Sequence, residues 1–305
     1  MIVKFWGVRG SIPAPGMSTV KYGGNTACIE LRFPELDRFI IIDAGSGLRG
    51  LGGYLAEHEL HRGPIKTEIF LTHTHWDHIM GFPFFIPIFL PETMLRIYGP
   101  VSHETESLAE VVGGQMTYRY FPVRHDELKA HIEYVSLKEE VRDLGDGIRL
   151  RTKFLNHPVL CLGYRFEYKD KVFCTTYDNE PFQNLFISDP SDPDYDVAMD
   201  REGREVVREQ NAALEHFVAG ADLLVHDCQY TKIEYDRGKK GWGHSWFEYV
   251  CPLASLNGIK SLALFHHDPD RTDNQLDELS EMHCKPGQYG DTEIFLAREG
   301  MTVEL

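Results

Sequence analysis

Residues Phe70–Gly81 read FLTHTHWDHIMG, and His73, His75, Asp77 and His78 crowd metal-binding side chains together directly behind an apolar run. In an extended segment alternate residues share a side, so His73 and His75 can bring both imidazoles to one ion. Asp77 and His78 follow where the chain turns towards a helix, which aims them at a neighbouring point. Imidazole combined with carboxylate oxygen suits zinc, and also manganese or iron. The plain alternative is a solvated histidine-rich turn, which would not need so dense a ligand set behind a buried strand. Two ions held about 3.5–4 Å apart require further ligands, one of them shared. The sequence offers these where other apolar runs end: His157 in LNHP, Asp178 in TTYDNE, and His266 and His267 in LALFHHDP.

Such a pair of cations lowers the pKa of a shared water towards neutrality, supplies hydroxide and offsets charge developing on the group under attack. Phosphodiester hydrolysis is one reaction that this chemistry serves. Thioester or lactone hydrolysis is another, because fold and metals do not name the substrate. A non-hydrolytic metal-binding sensor or scaffold is the reading from a different class. It has no use for an activated water, which a complete ligand set implies.

Short strands must position these residues. Alternating or apolar runs predict strands at Met1–Phe5, Cys28–Arg32, Phe39–Asp43, Ile65–Leu71, Arg149–Phe154, Asp222–Asp227 and Ile259–Phe265. Gly163–Thr176 predicts a hairpin turning at Lys169-Asp170, and helices are expected over 200–220 and 245–257. Residues 103–145 mix helical and extended signals. Three prolines break the aromatic stretch 79–92, so it predicts a hydrophobic loop; its 82–91 portion either covers the site or forms a contact between two copies of the chain. Strands first, helices mid-chain, then strand–helix–strand again: this order predicts two stacked sheets flanked by helices, in one domain over 1–305.

Composition narrows the function classes. The formal net charge is −16, with 47 acidic against 31 basic residues. A surface that tracks phosphates needs the opposite balance, which disfavours a large nucleic acid as partner. No apolar run approaches the ~20 residues that span a bilayer, so no membrane partner is expected. The start, MIVKFWGVRGSIP, lacks the pattern of an export signal. The six scattered cysteines form no C-x-x-C pair, and read as reduced thiols of a cytoplasmic protein.

H-x-H-x-D-H followed by a later His, Asp and His in that order resembles the metallo-β-lactamase superfamily. GVRGSIPAPG, YGGNTACIEL, IIDAGSGLRGLG, GWGHS and LFHHDP extend the similarity over nearly the whole chain, towards the ribonuclease Z/PhnP-like phosphodiesterase branch. The resemblance implies a four-layer αββα sandwich with two metal sites. It implies that His73, His75 and His157 hold one ion, that Asp77, His78 and His266 hold the other, and that Asp178 bridges them. Adjacent strand residues face opposite ways, so only one of His266 and His267 is expected to ligate; the family pattern favours His266 and leaves His267 lining the pocket or hydrogen-bonded in the structure.

The same resemblance makes Asp43 a carboxylate that fixes the tautomer of a ligand histidine, although an Asp before Ala-Gly also reads as a turn cap. His244, flanked by Gly241 and Gly243, matches a histidine that acts near the scissile phosphate. Its alternative is an incidental residue beside the helix cap Ser245. Arg9 and Asn25 lie in turns that the family pattern brings near the site, as substrate contacts or as turn supports. His226 and Asp227 read as supporting residues, and His58, His61, His103, His125, His131, His216 and His283 as ordinary ones. Asp77 is expected to orient the nucleophile while ligating, and His244 to serve the leaving group. Only residues 158–177 separate His157 from Asp178, leaving no room there for the RNA-gripping arm of ribonuclease Z relatives. A compact phosphodiester such as a cyclic nucleotide is the expected substrate.

Overall fold

The computed structural model describes residues 1–100 and 107–305, which build two seven-stranded sheets. The first contains β1 (Ile2–Gly7), β2 (Cys28–Phe33), β3 (Arg38–Ile42), β4 (Lys66–Phe70), β5 (Met94–Pro100) and β6 (His131–Leu137). The second contains β7 (Val141–Asp143), β8 (Ile148–Phe154), β9 (Leu162–Tyr168), β10 (Lys171–Thr176), β11 (Leu223–Asp227), β12 (Ser261–Phe265) and β13 (Glu293–Leu296). β14 (Thr302–Glu304) returns to pair with β1 at the edge of the first sheet. The orders are β14-β1-β2-β3-β4-β5-β6 and β13-β12-β11-β10-β9-β8-β7. Each sheet is antiparallel in one part and parallel in the other, β3 to β6 and β10 to β13 being parallel.

Burial follows from the residue patterns. β1 alternates, sending Val3 and Phe5 inward, whereas β11 (LLVHD) is buried at every position, as a parallel strand covered on both faces should be. The inner faces meet over Phe5, Phe33, Phe70, Tyr164, Phe166, Phe173 and Phe265, with Phe70 edge-on to Phe166 at 5.2 Å. On the outer face of the first sheet lie α1 (Gly47–His58), the turn-rich stretch from Phe82 to Phe89 and α3 (Leu108–Gly114), beyond the single-turn α2 (Trp76–Ile79). The second sheet's outer face carries the end of α4 (Val197–Val218), α6 (Phe247–Leu256) and α7 (Asp273–His283), with α5 (Lys232–Asp236) short and peripheral. The layers run helix, sheet, sheet, helix.

The β9–β10 hairpin turns at Lys169, whose φ of 55° is left-handed. The stretch 79–92 forms neither a long helix nor a strand; Phe82, Phe85 and Ile88 are buried beneath it while Phe84 stays 55% exposed. In the mixed region 103–145, α3, β6 and β7 are resolved, and His103 lies outside the described residues. All six cysteines are unpaired, five of them buried. Among the described residues no helix is long and apolar enough to cross a membrane.

Candidate metal centre

The chemistry-bearing residues gather where strands end. Asp43 follows β3, His73 follows β4, His157 follows β8, Asp178 follows β10, Asp227 closes β11 and His266 follows β12. Converging strand ends give a rigid frame, and the crevice beyond carboxyl ends is where parallel sheets hold ligands. Two groups of donor atoms result, each lying within 4.8 Å of one another: His73, His75, His157 and Asp178, then Asp77, His78, Asp178 and His266. Asp178 belongs to both and divides its oxygens. Its Oδ2 lies 3.5 Å from His73 Nε2 and 3.8 Å from His157 Nε2, while Oδ1 lies 3.3 Å from His78 Nε2 and 3.2 Å from His266 Nε2.

Several imidazoles are aimed by a partner on the far nitrogen. His157 Nδ1 faces the Gly243 carbonyl at 3.0 Å, His78 Nδ1 the Asp43 carboxylate at 2.7 Å, and His73 Nδ1 the Thr72 hydroxyl at 3.1 Å. Each bond leaves Nε2 for the centre. His75 turns Nδ1 inward, 3.1 Å from His157 Nε2. The Ser11 backbone N–H donates to Asp77 Oδ2 at 2.7 Å, fixing that carboxylate from a third loop. Ser11, Asp43 and His266 all have left-handed backbones, with φ of 63°, 60° and 62°. Non-glycine residues bear that conformation where the surrounding structure demands it, often at functional sites.

The donor set suits divalent cations. His73 Nε2, His78 Nε2 and Asp178 Oδ1 are buried without a hydrogen-bond partner, which is costly unless a ligand meets them. The charges agree. Burial alone would lower the His78 pKa, yet Asp178, Asp77 and Asp43 together raise it well above its ordinary value. Burial opposes ionisation of Asp178, but His266, His78 and His73 hold its carboxyl far below the usual range. Burial first, then its histidine neighbours, keeps His73 neutral, ready to donate a lone pair. The carboxylates thus draw positive charge into a pocket whose imidazoles resist carrying it all.

His244 stands at the edge of this cluster. Its ring stacks on His266 at 4.9 Å between centroids, and its Nδ1 lies 3.2 Å from Asp227 Oδ2. Although burial works against it, Asp227, with Asp178 and Asp77, lifts its pKa to about 9. It also forms, with Asp227 and His266, a third group of close donor atoms. Asp227 Oδ2 accepts the Ser245 N–H at 2.9 Å as well, so this carboxylate holds both His244 and the residue that follows it.

Other sequence candidates lie elsewhere. His267 turns away from the centre, its Nε2 2.7 Å from the Ala297 carbonyl, and burial lowers its pKa to about 3. It is a hydrogen-bonded buried residue, not a lining of the pocket. Of the two readings of Arg9, the geometry fits turn support and not substrate contact: its guanidinium is fully buried and donates to the carbonyls of Gly23, Asp268 and Arg271 at 2.7, 3.0 and 2.7 Å. Asn25 is likewise spent on loop structure, donating from Nδ2 to Glu299 and accepting from the Ser46 hydroxyl. His226 points its Nδ1 at the Asp227 carbonyl. A cavity of about 470 Å³ opens beside His157, walled by Asn156, Pro158, Phe182, Leu185 and Lys240 among others, with no residue of 82–91 in its lining. That stretch is therefore no cover for this cavity. Glu180 and Thr72 escaped sequence reasoning, because most of their partners are backbone atoms or residues remote in sequence.

Residues 23–162 match the model of the metallo-β-lactamase superfamily. A ribonuclease Z of Lactococcus lactis subsp. lactis is 28% identical over 275 residues, which cover 79% of this chain and 83% of that protein. The metallo-β-lactamase fold protein YhfI from Bacillus subtilis superposes with a TM-score of 0.64 at 18% identity, covering 100% of this chain and 98% of its own. A diphosphatase from the PhnP family gives a TM-score of 0.62 at 18% identity, covering 100% and 97%.

Proposed function

We propose that this chain, whose residues 23–162 match the model of the metallo-β-lactamase superfamily, is a metal-dependent phosphodiesterase working with two divalent ions, zinc first among the candidates. His73, His75 and His157 would hold one ion; Asp77, His78 and His266 would hold the other, with Asp178 shared. When bound, the ions supply Lewis acidity towards the substrate and acidify a water. Asp43 keeps His78 in the tautomer that presents Nε2. Asp77, its carboxylate held by the Ser11 N–H, orients the attacking water and accepts its proton. His244, its Nδ1 held by Asp227, has Nε2 left for the substrate and would protonate the leaving oxygen from there.

The observation that carries the phosphodiester reading is the placement of His244: an imidazole held over His266 with its Nδ1 on Asp227, outside both principal donor groups. A proton donor oriented at that edge suits an anionic diester and a departing alkoxide better than it suits a neutral thioester or lactone. A compact substrate, such as a cyclic nucleotide, agrees with the cavity beside His157, with the tight β9–β10 hairpin and with the net charge of −16. We take 1–305 as one catalytic domain acting in the cytoplasm.

RNA cleavage is the second reading, favoured by curated relatives named ribonuclease Z. The test is a panel offered to the metal-loaded protein: an aryl phosphodiester, cyclic nucleotides, a structured RNA with a 3′ extension, a thioester and a lactone. Turnover of small diesters with the RNA untouched is expected. Efficient RNA cleavage would replace the small substrate, and thioester or lactone turnover alone would replace the phosphodiester.

A further inference from the structure

Two positions beyond Asp178, Glu180 is buried, 4% exposed, and belongs to neither principal donor group. Its partners lie mainly on the loop that presents His244. Gly241 N–H donates to both oxygens at 3.0 Å, and Gly243 N–H donates to Oε2 at 2.9 Å. The Tyr235 hydroxyl and Gln183 Nε2 complete the set on Oε1. Gly241 and Gly243 have φ of 80° and 83°, so the backbone bends left-handed twice to aim these amides at one anion. Here the anion is the protein's own side chain.

The arrangement ties three parts of the centre together. Glu180 N–H donates to the Asn156 carbonyl at 2.9 Å, beside His157. The Asn179 carbonyl accepts the Ser245 hydroxyl at 2.6 Å. Gly243, held through its N–H, uses its carbonyl to receive His157 Nδ1. His244 therefore sits between two carboxylate anchors: Glu180 acting on Gly243 before it, and Asp227 acting on Ser245 after it.

We propose that Glu180 is a positioning residue whose carboxylate clamps the 241–243 backbone and thereby sets the reach of His244. This rests on His244 serving the reacting centre. A buried carboxylate bound by several amides fixes a loop, and misplacing a reacting group by about 1 Å costs on the order of 10²-fold in rate.

The test is a double-mutant cycle of Glu180→Ala, His244→Ala and the pair, with Glu180→Gln as the conservative variant. Metal content and kcat and KM would be measured on diesters with alkyl and aryl leaving groups. Assayed at saturating metal, Glu180→Ala should carry both ions and lower kcat about 10²-fold on the alkyl diester, with little change in KM. The pair should be no slower than His244→Ala alone, and Glu180→Gln, whose Oε1 still accepts amide protons, should recover part of the loss. Independent multiplication of the two losses, or full activity in Glu180→Ala, would overturn the proposal. So would loss of metal or fold in both Glu180 variants. If the wild type ignores diesters and hydrolyses a thioester, the cycle runs on that substrate; coupling there would keep Glu180 in its role while the phosphodiester reading fell. A crystal structure of Glu180→Ala reads the same point without turnover: His244 should leave Asp227, and an unmoved loop would overturn the clamp.

Discussion

Asp178 gives one oxygen to each donor group, so its replacement removes a ligand from both. Asp178→Ala should abolish hydrolysis and bind less than two equivalents of metal, as titration with a chelating dye would register. Full metal content with residual turnover would show that the carboxylate is dispensable. His244 makes a contrasting prediction, because in the proposed mechanism it serves the leaving group and not the ions. His244→Ala should retain both ions and lose about 10²–10⁴-fold in turnover on an alkyl diester, with a smaller loss on an aryl diester, whose oxygen departs without a proton. Equal losses on both would remove the acid role. The ligand-type residues were legible because residue type, spacing and position behind apolar runs all agreed. For Arg9 and Asn25 the sequence left two readings open, substrate contact and turn support. A Gly-rich turn looks alike whether its polar side chain meets substrate or, as here, carbonyls and a carboxylate of neighbouring loops.

Elements show where sequence periodicity suffices. Strands appear where apolar runs predicted them, and the hairpin turns at Lys169 as its Lys-Asp pair suggested. α1 was hidden because GLRGLGGYLAEH carries glycines that disfavour helix, although Leu48, Leu51 and Leu55 recur on one buried face. Gly52 has a packing reason for its place: a Cβ there would approach the Phe85 ring at 2.8 Å. The loop before α6 is more demanding. A Cβ on Gly243 would meet His157 Nδ1 at 2.2 Å, at a φ of 83° that an alanine resists. Gly243→Ala should therefore push His157 off its orientation and weaken metal binding about 10–100-fold, as loss of a partner that orients a ligand does. Competition with a chelator of known affinity measures it, and unchanged affinity would show that His157 does not depend on this contact.

At the scale of the whole molecule, two half-parallel sheets bring five parallel-strand ends and β8 to one edge, and the core between them holds that edge rigid. The layered plan was legible from the order of strand and helix signals. The contacts between loops 11, 77, 180 and 243 were not, because each joins residues far apart in sequence through backbone amides or carbonyls. The net charge of −16 and the ribonuclease Z relatives pull the substrate question in opposite directions, but either substrate leaves in place the paired metal centre that the proposed mechanism requires. That requirement is tested most directly by adding zinc to the metal-free protein in known equivalents and following the initial rate of aryl phosphodiester hydrolysis. The rate should be negligible without metal, rise on addition and level off at two equivalents per chain, with excess chelator returning it to baseline. A plateau at one equivalent, or hydrolysis that persists in the metal-free protein, would contradict the two-ion centre.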